Sequence, residues 1–157
     1  MINKDTDVKT RTIEELRELA QQLPQEIPYL KMLVLFGSRA TGNAHANSDW
    51  DFAALYDETK RNNYLRDNTW GLFEVPLIFG RIFGINSDNI DVVELNHCSW
   101  LIAHFVARDG VLLYEKDPHG FEYFRSTSLR PDSEMHKFRK EQRQLLELEL
   151  QKWKIEN

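Results

Sequence analysis

The chain has 157 residues and a mass of 18.6 kDa, which suits one domain and excludes a large catalytic domain with a separate substrate domain. Its hydrophobic content of 41% is sufficient for a folded core, and its formal net charge of -5 argues against a dedicated nucleic-acid-binding protein. The single cysteine, Cys98, excludes an internal disulfide and therefore a disulfide-stapled secreted domain.

The N-terminal third of the chain predicts a helix and two buried strands. Thr12 and Glu15 form a capping box, apolar residues follow at helical spacing, and Pro24 ends the helix. Residues 29–36 are apolar and rich in strand-forming side chains, so they predict the first strand. Residues 50–56 predict a second buried strand for the same reason.

The middle of the chain continues this alternation of helices and strands. Residues 61–83 are helical by composition with an interruption at Pro76, and residues 90–95 predict a third strand. Ser99 is a suitable N-cap for a short helix, and residues 111–114 predict a fourth strand. The pattern predicts an α/β (α+β) fold in which a small mixed sheet is flanked by helices.

The last forty residues predict a helical extension. Residues 118–131 contain Pro, Gly and a Ser-Thr-Ser cluster, so we divide the chain into a core domain of residues 1–117 and an extension of residues 118–157. One long helix is predicted over residues 132–155. Its apolar stripe either packs on the chain's own sheet or offers a face to another protein. The stripe consists of Met135, Phe138, Leu145, Leu148 and Trp153.

The clearest chemical pattern runs from Gly37 to Asp51: Gly-Ser, ten residues, then Asp-x-Asp. Asp49 and Asp51 are two residues apart at the start of a predicted strand, so both carboxylates leave the same face. Carboxylates aimed at one spot repel unless a cation lies between them, and Mg²⁺ takes such ligands together with water and phosphate oxygens. Gly37 lets a phosphate approach the backbone, and Ser38 adds a hydroxyl and an amide at a predicted helix start. The alternative is an Asp-rich capping loop without a ligand.

This run resembles the signature of the DNA polymerase beta-like nucleotidyltransferase superfamily, in which Gly-Ser, ten residues and Asp-x-Asp follow one another. The short chain resembles more narrowly the minimal nucleotidyltransferase (MNT) antitoxins, which act beside HEPN-domain ribonuclease toxins. The resemblance covers roughly residues 30–115 and is strongest at Gly37, Ser38, Asp49 and Asp51. It implies a polymerase-beta-like core with a C-terminal helix.

A third carboxylate lies on a following strand in that family, and the resemblance implies Asp91 for this role. Its apolar neighbours make Asp91 costly to bury without a partner such as a metal ion. The rivals are Asp88, which belongs to the preceding turn, and Glu94, which points to the opposite face of the strand. The implied catalytic residues and metal ligands are therefore Asp49, Asp51 and Asp91.

The resemblance implies two-metal nucleotidyl transfer with Mg²⁺ and with ATP as the substrate. Asp91 is also able to take the proton of the incoming hydroxyl. The implied nucleotide-binding residues are Gly37, Ser38 and Arg39. Arg39 either faces the triphosphate as a cation or forms a surface salt bridge.

The implied function is that of an antitoxin enzyme. It would transfer AMP from ATP to a tyrosine hydroxyl of a HEPN toxin and block access of RNA to the toxin. The alternatives are an antitoxin that acts by binding alone and a small-molecule transferase of the aminoglycoside type. The small size favours a protein substrate. Polar residues 1–7 and the lack of an apolar run of about 20 residues predict a soluble, cytoplasmic protein that contacts neither membranes nor nucleic acid directly.

Overall fold

A computed structural model describes residues 10–157 of the chain. All four predicted strands are present and form one sheet. The strands are β1 (Leu30–Phe36), β2 (Trp50–Tyr56), β3 (Ile90–Glu94) and β4 (Val111–Glu115). The helices are α1 (Ile13–Ala20), α2 (Leu23–Glu26), α3 (Ser38–Thr41), α4 (Glu58–Asp67), α5 (Gly71–Phe83), α6 (Trp100–Asp109), α7 (Gly120–Ser128) and α8 (Asp132–Glu156). No helix within residues 10–157 is both long enough and apolar enough to cross a bilayer.

The sheet is mixed, as predicted, with the strand order β3-β2-β1-β4. Strand β1 is antiparallel to β2 and β4, whereas β2 is parallel to β3. The C-terminal end of β1 therefore lies beside the N-terminal ends of β2 and β3. In this register Phe36 is opposite Asp51, and Asp51 is opposite Asp91. The topology thus brings the Gly-Ser pair and the acidic residues to one edge of the sheet.

Helices cover both faces of the sheet, which explains why β1 is apolar at every position except Lys31 instead of alternating with polar residues. Leu33 and Leu35 pack on the side of α1, α2 and α5, and Met32 and Val34 pack on the side of α6 and α7. Three mutually contacting rings fill the first side, with centroids 5.3 to 5.9 Å apart. They belong to Phe52, Phe79 and Phe83. Burial of each ring contributes about 1.5–3 kcal/mol to folding.

The predicted helix over residues 61–83 is wrong in its bounds, because α4 and α5 divide this region between them. Asp57 caps α4 by accepting a backbone hydrogen bond of 3.1 Å. The helix ends before Asn68, whose side chain donates to the Tyr64 carbonyl at 3.0 Å. Asparagine competes with the helical backbone for hydrogen bonds in this way. Pro76, where the interruption was expected, lies inside α5.

The predicted helix starts are confirmed with one change. Thr12 Oγ1 accepts from the Glu15 amide at 3.2 Å, as expected of the capping box. The Glu15 carboxylate, however, accepts from Arg11 Nη1 at 3.2 Å instead of returning to the cap backbone. Ser99 caps α6 as predicted, with its hydroxyl accepting from the Ile102 amide at 3.3 Å.

The C-terminal extension contains a helix that the sequence did not indicate. Within the predicted boundary region, residues 118–131, Gly120–Ser128 form α7, and its Phe121 is buried with the residues of α6. Helix α8 starts at the predicted place, with Met135 buried and the Phe138 ring edge-on to Trp100 at 5.1 Å. Every residue from 139 to 157 is exposed. The interpretation that the whole stripe packs on the chain's own sheet is therefore wrong for the distal part of α8.

A buried histidine holds the connection between α7 and α8 against α6. His104 is 2% exposed, and its Nδ1 accepts from the Arg130 backbone amide at 3.0 Å. An imidazole accepts at Nδ1 only when it is neutral and carries its proton on Nε2. The Arg130 guanidinium also lies over the Trp100 ring at 5.5 Å.

Replacing His104 with leucine is expected to lower the free energy of unfolding by about 1–3 kcal/mol, because the Arg130 amide loses its acceptor in a partly buried place. Urea denaturation measures the loss, and the exposed His136→Leu variant is the control. Hydrogen exchange at the Arg130 amide should become faster in His104→Leu only. Unchanged exchange at that amide would contradict the anchoring role.

Candidate active site

A sharp turn at Gly37 connects β1 to the short helix α3. Gly37 has φ 73° and ψ -159°, a conformation that is almost restricted to glycine. A β-carbon at this position would overlap Oδ2 of Asp51. Glycine is therefore required at position 37 for two reasons. Only glycine readily adopts this backbone conformation, and any β-carbon there would collide with the Asp51 carboxylate.

Three carboxylates meet at this edge of the sheet. Asp51 and Asp91 are opposite each other on the parallel strands β2 and β3, and Asp49 lies immediately before Trp50, where β2 begins. Asp51 is half-buried, whereas Asp49 and Asp91 are exposed. Burial raises the pKa of Asp51 above its ordinary value, and the negative charges of Asp91 and Asp49 raise that pKa further. The structure thus places Asp51 near both of the other two predicted residues, close enough for their charges to act on it.

The two rivals of Asp91 lie elsewhere. Asp88 belongs to a 3-10 turn, Ser87–Asn89, that precedes β3. Glu94 lies at the far end of β3 and forms an ion pair with Arg61 of α4. That guanidinium also covers the Tyr56 ring at 4.7 Å, so Glu94 belongs to a separate cluster.

Replacing Asp51 with asparagine is expected to stabilise the protein when divalent cations are absent. Because the pKa of Asp51 is raised, the folded state holds the proton more tightly than the unfolded chain does. Its ionisation therefore lowers stability as the pH rises from the unfolded-state pKa through the raised folded-state pKa, and the full cost is present above the folded-state pKa. Like charges that face each other across a sheet cost a few tenths to about 1 kcal/mol, and the half-exposed position of Asp51 favours the lower part of that range.

Urea denaturation at pH 7 in EDTA measures this gain for Asp51→Asn. Asp88→Asn is the control, since Asp88 is exposed and precedes β3. A lower free energy of unfolding in Asp51→Asn than in the wild type would contradict the repulsion at the centre of the site.

Ser38 and Arg39 begin α3, directly after the Gly37 turn. Ser38 is half-buried, and its carbonyl accepts from the Asn43 amide at 3.0 Å. The Arg39 side chain lies along the loop that leads to β2. Its Nε and Nη2 donate to the Ser48 carbonyl at 3.1 and 2.7 Å. Sequence reasoning missed these bonds, and no local signal indicates them, because the acceptor is a backbone group.

The donor set is suited to a hard divalent cation. Within residues 10–157, no three His, Cys, Asp or Glu side chains are grouped so as to hold a metal ion. A different observation bears on Asp49, Asp51 and Asp91: the pKa of Asp51 is raised by burial and, in addition, by repulsion from the other two carboxylates. A bound cation would relieve that repulsion. Mg²⁺ suits carboxylate oxygens of this kind, since it takes one or two of them and completes its shell with water and phosphate oxygens.

Known proteins have sequences similar to this one. The family model "Polymerase beta, Nucleotidyltransferase" matches residues 14–119, more than half of the chain. The protein adenylyltransferase MntA of Aphanizomenon flos-aquae (strain 2012/KM1/D3) is 57% identical over 147 residues, which are 94% of this chain and 98% of that protein.

Solved toxin–antitoxin complexes contain chains of the same fold. A chain of a toxin–antitoxin complex with AMP-PNP matches with a TM-score of 0.53 and 22% identity, over 89% of this chain and 98% of that one. A chain of the tri-AMPylated Shewanella oneidensis HEPN toxin in complex with MNT antitoxin matches with a TM-score of 0.51 and 19% identity, over 88% of this chain and 98% of that one. At these identities the likeness shows the fold. Together with the family match and the close relative, it confirms the resemblance read from the sequence: the chain belongs to the polymerase beta nucleotidyltransferase family and, within it, to the minimal nucleotidyltransferases represented by MntA.

Proposed function

We propose that this protein is an antitoxin nucleotidyltransferase, which transfers AMP from ATP to a tyrosine hydroxyl of a partner HEPN ribonuclease toxin and thereby neutralises it. The observation that carries the proposal is the meeting of the Gly37 turn with Asp49, Asp51 and Asp91 at one edge of the sheet. The 57% identity to a protein adenylyltransferase supports a protein acceptor. We assign the reaction to the cytoplasm, where ATP and an RNA-cleaving toxin would meet.

In this proposal Asp49, Asp51 and Asp91 hold two Mg²⁺ ions. When bound, the ions would neutralise charge on the leaving pyrophosphate and lower the pKa of the incoming hydroxyl. The half-buried position of Asp51 near the other two makes it the carboxylate best placed to serve both ions.

The remaining roles fall to groups around the carboxylates. Asp91 is exposed at the start of β3, so it is accessible to accept the proton of an incoming tyrosine hydroxyl. The tyrosine oxygen forms a bond to the α-phosphorus of ATP as the bond to the bridging oxygen breaks and pyrophosphate leaves. The Gly37 backbone and the Ser38 hydroxyl would place the outer phosphates, because no side chain intervenes at Gly37. The predicted contact of Arg39 with the triphosphate is an alternative to the role that its bonds to the Ser48 carbonyl indicate.

The proposal is tested by mixing the purified protein, its partner toxin, Mg²⁺ and ATP labelled in either the α- or the γ-phosphate. AMP transfer predicts that the α-label enters the toxin and that the γ-label does not. Inhibition of the toxin without α-label would favour the antitoxin that acts by binding alone. Label on an aminoglycoside and none on the toxin would favour the small-molecule transferase.

We further propose that residues 118–157 form an extension whose distal part binds the toxin. Beyond Phe138, α8 carries six large apolar side chains that are each at least half exposed. They are Leu145, Leu146, Leu148, Leu150, Trp153 and Ile155. An apolar surface of this kind on one helix suits a groove of another protein. The toxin is the occupant to which we commit, because the enzyme must hold it for transfer.

Introducing glutamate at Leu146 and Trp153 together is expected to weaken toxin binding at least about tenfold, since a buried tryptophan anchor alone contributes about 2 kcal/mol or more. These positions are seven residues apart and lie on one face of α8. The matched control places glutamate at Gln144 and Gln151, which have the same seven-residue spacing but lie on the side of α8 away from Leu146 and Trp153. Isothermal titration calorimetry measures both variants. Equal affinity in the two would contradict the assignment, as would loss of self-association with unchanged toxin affinity.

A further inference from the structure

The Arg39 guanidinium is engaged by the loop of residues 42–48, which leads into Asp49. Two of its nitrogens donate to the Ser48 carbonyl, Nε at 3.1 Å and Nη2 at 2.7 Å. Nη2 also lies 3.4 Å from the His45 carbonyl oxygen and 3.5 Å from that of Ala46. A single side chain of α3 therefore contacts three backbone carbonyl groups of this loop.

The flat face of the same guanidinium is also occupied. The Cζ of Arg39 lies 4.1 Å from the centroid of the Trp50 ring, and Trp50 is only 7% exposed. A cation held over a buried indole is attracted to the negative face of the ring. Arg39 thus contacts the residue before Asp49, through the Ser48 carbonyl, and the residue after it, through the Trp50 ring.

The loop reinforces this arrangement with its own hydrogen bonds. The Ser48 amide donates to the His45 carbonyl at 2.9 Å, and the His45 amide donates to Ser48 Oγ at 2.9 Å. His45 Nδ1 lies 2.7 Å from the same hydroxyl oxygen. The backbone on the N-terminal side of Asp49 is therefore fixed where Arg39 holds it.

We infer that Arg39 is a positioning residue, which sets the direction of the Asp49 carboxylate by holding the backbone on both of its sides. The inference rests on the proposed function only in that Asp49 is taken as a Mg²⁺ ligand. Partners that orient a metal ligand from outside typically contribute 10- to 100-fold to metal affinity or activity. We therefore expect Mg²⁺ affinity, and with it kcat at limiting Mg²⁺, to depend on Arg39.

The Arg39→Lys variant distinguishes the positioning role of Arg39 from direct binding of the triphosphate. Lysine keeps the positive charge but has no planar fork to bridge two bonds and stack on an indole. If Arg39 positions Asp49, Arg39→Lys should be impaired as strongly as Arg39→Gln. If Arg39 instead contacts the triphosphate as a charge, Arg39→Lys should largely restore the KM for ATP that Arg39→Gln loses.

The test is calorimetric titration of the full-length protein with Mg²⁺ in the absence of ATP. We expect about 10- to 100-fold weaker Mg²⁺ binding in both Arg39→Lys and Arg39→Gln. Arg17→Lys is the matched control, since Arg17 Nε donates to the Leu112 carbonyl at 3.0 Å on another part of the fold. Thermal unfolding of each variant shows whether the fold is intact. Mg²⁺ affinity within about threefold of wild type in both Arg39 variants would overturn the inference.

This readout is independent of AMP transfer. Weakened Mg²⁺ binding in the Arg39 variants, together with a wild-type protein that transfers no label, would support the positioning role and reject the proposed function. Normal transfer by the wild type with unchanged Mg²⁺ binding in the variants would do the reverse.

Discussion

Asp49→Asn and Asp51→Asn are each expected to lower AMP transfer by at least about a thousandfold, because each removes a carboxylate that supports several kcal/mol of charge stabilisation. Both variants should stay folded, since Asp49 is exposed and the change at Asp51 relieves repulsion. The measurement is the initial rate of α-label incorporation into the toxin at saturating ATP and Mg²⁺. Asp88→Asn is the control and should transfer at the wild-type rate.

A rate within about tenfold of wild type in either variant would remove the corresponding carboxylate from the mechanism, since one factor of ten corresponds to only about 1.4 kcal/mol. Loss of transfer accompanied by loss of thermal unfolding cooperativity would contradict the expectation that both variants stay folded.

Gly37→Ala is expected to lower transfer by about a hundredfold, the cost of displacing a reacting group by about 1 Å. The added methyl group would overlap Asp51 Oδ2, so the carboxylate must move away from the turn. Because alanine must adopt the unusual backbone conformation of Gly37, the free energy of unfolding of the variant should also fall by about 1–3 kcal/mol. Rates of label incorporation and urea denaturation measure the two effects separately.

Gly42→Ala is the matched control for this prediction. Gly42 also has a positive φ of 82°, which alanine tolerates at a cost of about 1–2 kcal/mol. Among the described residues, none comes within 4 Å of a β-carbon built at Gly42. Stability should therefore fall in both variants and transfer only in Gly37→Ala. An equal loss of transfer in both would attribute the effect to backbone strain instead of the contact with Asp51.

The strands, and the grouping of the acidic residues at one edge of the sheet, were predictable because they depend on short stretches of sequence. Apart from Lys31 and Asp51, residues 30–36 and 50–56 are apolar, as expected of strands covered on both faces. The spacing of Asp49 and Asp51 indicated a common face, and the register of Asp51 with Asp91 agrees with the choice of the third carboxylate. The roles of these residues in transfer stay predictions.

Other features depend on contacts that local sequence does not encode. The break between α4 and α5 falls at Asn68 instead of Pro76, and Gly71 then packs so closely on Leu65 and Tyr64 that a β-carbon would lie 2.8 Å from the Leu65 side chain. The hydrogen bonds of Arg39 to the loop were not predictable from a motif either, because every residue has a backbone carbonyl that can accept such a bond. Helix propensities and sequence motifs therefore predict neither the position of the break nor the hydrogen bonds of Arg39.

The distal part of α8 separates the two interpretations of its stripe. Only Met135 is buried and only Phe138 is half-buried along this helix, so its remaining apolar side chains are exposed. The exposed apolar side chains on the distal part of α8 agree with the proposed binding of the toxin there.

The intact mass of the partner toxin after incubation with the wild-type protein, ATP and Mg²⁺ tests the central claim most directly. We predict a mass increase of one or more AMP groups, located on tyrosine by peptide fragmentation and accompanied by loss of ribonuclease activity. The same incubation with Asp51→Asn should leave the mass unchanged. A toxin that is fully inhibited by the wild-type protein while its mass stays unmodified would contradict the claim.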